Sequence, residues 1–170
     1  MKAIPILVAV VGGIILLVAI VLIIGAALPA RHEVSRSVVL RASPEEVYRI
    51  VANVENAPTW RRDLKRVELL PDVNGHRFFR EHGSNGALTY EVMEAQPGRT
   101  LVTRIADLDL GYSGSWTYAF APHPSGTQLT ITERGEVSNL LFRFLSRFVF
   151  GHATTIETYI KALSARMEGS

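Results

Sequence analysis

Val38-Val39-Leu40-Arg41-Ala42-Ser43-Pro44-Glu45-Glu46-Val47-Tyr48 is the stretch on which the reading of this chain turns. Val34–Leu40, which runs into it, is rich in β-branched residues and reads as a first strand. Ser43 then supplies a helix N-cap, Pro44 suits the first helical position, and Glu46 stands where a capping box needs it. Val47, Ile50, Val51 and Val54 recur at helical spacing, which predicts one buried stripe on the helix that follows. Asn53 and Asn56 loosen that helix, and Pro58 closes it just before Trp60.

Downstream the period changes from helical to alternating. Lys65–Leu70, Arg77–Glu81, Ala87–Ala95, Thr100–Ala106, Ser115–Ala121 and Thr127–Arg134 read as strands separated by turn clusters, among them Asn85-Gly86 and Pro97-Gly98. Trp116, Tyr118 and Phe120 share one face, as do Leu129, Ile131 and Glu133 across the next turn. An antiparallel meander with one apolar face follows from this. At the end of the chain, Asn139–Phe150 is strongly apolar and Gly151 marks a break. From Thr154 onward, Ile156, Tyr159, Ile160, Leu163 and Met167 form a stripe that only the sheet is large enough to cover. The order predicts an α+β fold in which a curved antiparallel sheet grips a long C-terminal helix.

The N-terminus is of a different kind. Ala3–Ala30 carries no charge and, at about 28 residues, exceeds the ~20 needed to cross a bilayer. A secretory signal peptide is the alternative, with Lys2 as its basic end and Gly25-Ala26-Ala27 as a cleavage site. The apolar core Ile4–Ile24 is longer than signal peptides use, and Pro29 lies just past that site. A retained anchor over residues 1–30 and one soluble domain over residues 31–170 are expected, making the protein a single-pass membrane protein with the bilayer as a partner. Arg31, Arg36 and Arg41 outnumber Lys2, which favours a cytoplasmic soluble domain. The chain has no cysteine, which is compatible with either compartment.

The composition narrows the chemistry. A formal charge of +2 and no basic block interleaved with aromatics argue against a nucleic-acid partner. Five histidines, His32, His76, His82, His123 and His152, lack metal-ligand spacing, so no metal and no cofactor is expected. Gly111-Tyr112-Ser113-Gly114-Ser115 lacks the spacing and the following helix of a nucleophile elbow. Asp107 and Asp109 straddle Leu108 as a minor acid–base candidate. No catalytic residue is assigned. Trp60, Phe78, Tyr90, Trp116, Tyr118 and Phe120 are the candidate walls of a ligand cavity. Glu133 continues the inward face, where a charge needs a partner; Arg104 is one possibility, although alternation sets it on the other face. Leu140–Phe150 carries more apolar surface than one buried stripe requires, so Arg143, Phe144, Arg147 and Phe148 are candidates for contact with the membrane interface.

The segment Val38–Tyr48, with Pro58-Thr59-Trp60, Gly114-Ser115-Trp116-Thr117-Tyr118 and Gly126-Thr127-Gln128-Leu129-Thr130-Ile131, resembles the SRPBCC or START-like superfamily, and within it the polyketide cyclase/dehydrase-like group. The resemblance implies a helix-grip fold and a hydrophobic ligand (a lipid, quinone or polyketide) between sheet and terminal helix. It supplies no catalytic residues, because the shared fold hosts carriers, receptors and cyclases alike. A binding module is therefore the first expectation. A cyclase/dehydratase-type enzyme using the same cavity, and a stress or envelope protein with a collapsed cavity, are the alternatives.

Overall fold

The computed structural model describes residues 3–84, 86–108, 110–145, 147–148 and 154–169, with the backbone alone for residues 3–5. Asn85, Asp109, Gly151 and His152 lie outside the described residues. The chain opens with helix α1 (Ala3–Ala27) and enters strand β1 (Arg31–Leu40). Helix α2 (Pro44–Ala52) and a 3-10 helix (Val54–Thr59) follow. Ser43 Oγ accepts the Glu46 amide at 3.3 Å, so the Ser43 half of the expected capping box forms. Asn53 caps the C-terminus of α2, and Pro58 sits inside the 3-10 turn.

Six further strands make up the meander: β2 (Leu64–Val73), β3 (His76–Gly83), β4 (Gly86–Gln96), β5 (Thr100–Ile105), β6 (Tyr112–His123) and β7 (Gly126–Val137). They form one antiparallel sheet of seven strands in the order β1-β7-β6-β5-β4-β3-β2. Every strand but β5 runs longer than its composition predicts, and two of the extensions have a plain cause. β1 begins at Arg31 because it pairs with β7 along its full length, from Arg31↔Glu136 to Leu40↔Thr127. β2 passes through Pro71, which is tolerated because β2 is an edge strand and its register slips between Leu70 and Val73.

Two helices close the described chain, α3 (Leu140–Leu145) and α4 (Thr154–Glu168). Asn139 Oδ1 accepts the Phe142 amide at 3.1 Å and so caps α3. Ile156, Tyr159 and Leu163 of α4 are buried against Leu101, Tyr118, Leu129 and Ile131 of the sheet and Val47 and Val51 of α2. The sheet therefore has a largely apolar concave face covered by α2 and α4. Its outer face is polar, and there Glu91 pairs with Arg104 and His76. Those two partners hold the Glu91 carboxyl below its usual range, Arg104 contributing most.

α1 stands apart from this core. Its segment Ile6–Ala27 has a mean hydropathy of 3.4 and none of it is buried within the protein except near the end. There Gly25 lies under the first turn of α3, so close that a Cβ would collide with the Leu140 carbonyl oxygen. Leu163 ties α4 to the sheet with no exposed surface. Leu163→Ala is expected to cost about 2–5 kcal/mol, measured by chemical denaturation followed through tryptophan fluorescence. A change within ±0.5 kcal/mol would show that α4 does not carry the core.

Candidate functional site

Between the concave sheet and its helical cover lies a cavity of about 310 Å³. Phe79, Tyr90, Leu101, Thr103, Ile105, Trp116 and Tyr118 form its floor. Val51, Val54, Ala57 and Trp60 from α2 and the 3-10 helix, and Tyr159 from α4, form its roof. Most of this wall is apolar, as small-molecule sites generally are.

Tyr159 organises the aromatic part. Its ring meets Trp60 edge-on at 5.3 Å between centroids, Trp116 at 5.7 Å and Tyr118 at 5.6 Å. The guanidinium of Arg61 lies over the same ring, 5.3 Å from its centroid. Arg61 Nη1 donates to Glu81 Oε1 at 2.7 Å, and Nη2 to Asp63 Oδ2 at 2.7 Å. Both Arg61 and Glu81 are largely buried, at 15% and 13% side-chain exposure. Burial pushes the Glu81 carboxyl up from its ordinary value, and the attraction of Arg61 opposes the shift. Burial works against the Arg61 charge too, but Glu81 and Asp63 outweigh it and strengthen its hold on the proton. The phenols of Tyr90, Tyr118 and Tyr159 are raised above their usual range, chiefly by desolvation. Each is therefore a protonated hydroxyl throughout the neutral range.

A second polar group stands nearer β1. Trp116 Nε1 donates to Glu133 Oε2 at 2.9 Å, and His32 Nε2 lies 3.3 Å from Glu133 Oε1. The His32 ring can reach that carboxylate because Gly135, its partner across β1 and β7, has no side chain; a Cβ there would collide with the ring.

Five of the seven residues singled out from the sequence as cavity lining meet here: Trp60, Tyr90, Trp116, Tyr118 and Glu133. Phe78 does not line the cavity; its neighbour Phe79 does, since alternation along β3 turns one ring in and the next out. Phe120 is buried in the core further along β6, edge-on to Tyr48. Arg104 is spent on Glu91, so Glu133 takes Trp116 and His32 instead. Asp107 accepts the Thr89 amide at 2.6 Å and serves the backbone. Arg61, Glu81 and His32, with Phe79 and Tyr159, are among the site residues that the sequence did not single out as cavity lining. The inward alternation of Phe79 and Glu81 on β3 was the available signal.

After β7, Leu141, Phe142 and Phe148 are exposed at 46%, 44% and 60%. Phe144 is half-buried and its ring lies 5.0 Å from that of Phe148. Arg143 Nε donates to the Val137 carbonyl at 2.6 Å, and Arg147 is exposed.

Solved structures share this fold. A START superfamily protein from Mycobacterium smegmatis aligns with a TM-score of 0.65 and 23% identity, over 81% of this chain and 98% of the other. The Zhui aromatase/cyclase from a Streptomyces species gives 0.63 and 15%, over 81% and 94%. The di-domain aromatase/cyclase StfQ of the steffimycin biosynthetic pathway gives 0.67 and 13%, and this chain spans about half of it (82% and 52% coverage). No curated protein is significantly similar to the chain in sequence. Residues 31–168, from the first residue of β1 to the last of α4, match the family described as polyketide cyclase / dehydrase and lipid transport, and the chain belongs to that family.

Proposed function

We propose that this protein is a membrane-anchored binding module for a hydrophobic small molecule held between sheet and α4. The cavity carries the reading. At about 310 Å³ it lies at the lower end of the ~300–1,000 Å³ range of ligand pockets, and its aromatic wall is broken by a few fixed hydroxyls and ion pairs. A lipid chain, quinone ring or polyketide-like ring system fits that chemistry: apolar body against Phe79, Leu101 and Trp116, polar end toward Tyr90, Tyr118 and Arg61. A collapsed scaffold would have no such space.

The anchor has its own support. Retention of α1 keeps Gly25 packed under Leu140, a contact that cleavage after Ala27 would remove. The exposed Leu141, Phe142 and Phe148 then face the headgroup region, with Arg143 and Arg147 among them and Phe144 buttressing Phe148. The bilayer both tethers the domain and holds a reservoir of apolar ligand.

A cyclase/dehydratase-type activity is the second reading, and Glu81 is the observation that favours it. A buried carboxyl raised by desolvation beside a cation is the kind of group that moves protons.

Three outcomes are expected. Ile105→Trp fills the cavity from its floor and lowers the affinity for the neutral probe N-phenyl-1-naphthylamine by about tenfold or more; unaltered fluorescence titration would place the probe, and the site, elsewhere. Extraction of the co-purifying compound from wild type and Glu81→Gln, followed by mass spectrometry, separates the two readings. Identical masses support binding alone, whereas a compound heavier by one water in the variant supports dehydration. Finally, Tyr90, Tyr118 and Tyr159 hold their protons more tightly folded than unfolded. Their stabilising effect is complete below the unfolded value of about 10 and is lost as pH rises beyond it. Ultraviolet titration should show at least three of the five tyrosines resisting ionisation until alkaline unfolding; simultaneous ionisation of all five in the folded state would contradict a dry cavity.

A further inference from the structure

The ligand cavity opens at one end of the domain. Of its described lining residues, only Tyr112, Ser113 and Thr155 are exposed, at the start of β6 and in the first turn of α4. Tyr112 pairs with Val137 at the end of β7. The Val137 amide donates to the Ala30 carbonyl at 2.8 Å, and Val137 also lines a smaller hollow with Leu28, Pro29 and Ala30. The mouth therefore lies beside the exit of α1.

The connection between β5 and β6 leads straight into Tyr112. Its Leu108 is 85% exposed, more than any other large apolar side chain described. Asp107 is turned away from it, to the Thr89 amide. The Gly111 carbonyl accepts the Ser138 and Asn139 amides at 3.0 and 3.3 Å and Ser138 Oγ at 3.0 Å, which fastens this connection to the residues that lead into α3. α3 in turn exposes Leu141 and Phe142 and rests on α1 where Leu140 meets Gly25. Backbone contacts thus run from the end of α1 through α3 to the β5–β6 connection, with exposed apolar side chains along them.

We infer that the β5–β6 connection enters the bilayer interface through Leu108 and holds the cavity mouth there, so that an apolar ligand passes between bilayer and cavity without crossing water. The bilayer is the occupant that fits, because these side chains are continuous with the end of an apolar span and an interface accepts apolar groups beside polar ones. The inference rests on the proposed readings of the cavity and of α1 as a retained anchor. It adds a second membrane contact and a route for the ligand.

The chain has no cysteine, so Leu108→Cys offers one site for a nitrobenzoxadiazole label in the full chain, held in phosphatidylcholine nanodiscs. Lys65→Cys, exposed on the edge strand β2, is the comparison. The label at 108 should emit to the blue of the label at 65. It should also lose about half its intensity or more to phosphatidylcholine with a doxyl group near the top of its acyl chain, the depth of an interfacial residue. Equal emission and equal quenching at the two positions, with α1 present in the intact mass, would overturn the membrane contact. The route is read separately. Trp60 and Trp116 are the only tryptophans and both line the cavity, so 1-bromonaphthalene, which quenches tryptophan near contact, reports its own arrival there. Leu108→Asp should slow that quenching roughly tenfold while its final extent stays the same, because Leu108 is outside the cavity wall. An unchanged rate would overturn the route. Absence of quenching in wild type would count against the cavity reading, and the labels would still decide the membrane contact.

Discussion

The ring of Tyr159 is the contact on which this molecule depends. It projects from α4 into a space bounded by Trp60, Trp116 and Tyr118, with the Arg61 cation across its face. Ile156 and Leu163 on either side fasten the same helix to Leu129 and Ile131. Aromatic contacts of this geometry add about 0.5–1.5 kcal/mol each beyond area burial. The more important effect is spatial. Tyr159 faces the cavity, while Ile156 and Leu163 before and after it are fully buried, so core and cavity divide one face of α4 between them.

That division explains why the buried charges gather where they do. Removing Arg61 and Glu81 from water is costly, and a single buried ion pair seldom recovers that cost. Here Asp63 adds a second carboxylate and Tyr159 a π face, so every side of the guanidinium is met. Glu133 is treated in the same way by Trp116 and His32. The cavity is thereby apolar in the middle and polar at fixed points, an arrangement that orients a ligand more than it attracts one.

The fold was legible because each signal was local. Ser43-Pro44 started a helix, turn clusters separated the strands, and alternation set the face of Trp116, Tyr118, Leu129 and Ile131. The site was legible only where alternation was unambiguous. Phe78-Phe79 offers two adjacent rings of equal apolarity, and a shift by one residue exchanges the faces of a strand; Phe79, with Glu81 two residues on, is the pair that turns inward. The partner of Glu133 was available from hairpin counting, since Trp116 and Glu133 sit directly opposite across β6 and β7. Arg61 gave no such sign. It follows Trp60 at the end of a 3-10 turn, where no period predicts direction, and its partners come from β3 and from Asp63.

The charges after the span illustrate the same limit in reverse. Arg36, counted toward the orientation of the anchor, is bound to Glu157 of α4 at 2.9 Å, and Arg31 shares Glu136 of β7. Arginines engaged in a folded sheet obey its register before they obey a leaflet, so their number says less about sidedness than the same number in a flexible loop. What they do report is distance. Only three residues, 28–30, separate the end of α1 at Ala27 from the start of β1 at Arg31, and Gly25 lets α3 rest on the helix backbone. A domain joined so closely has little freedom to tumble away from α1. Under the proposed reading of α1 as an anchor, the end of the cavity bearing His32 and Val137 is the end nearest the bilayer.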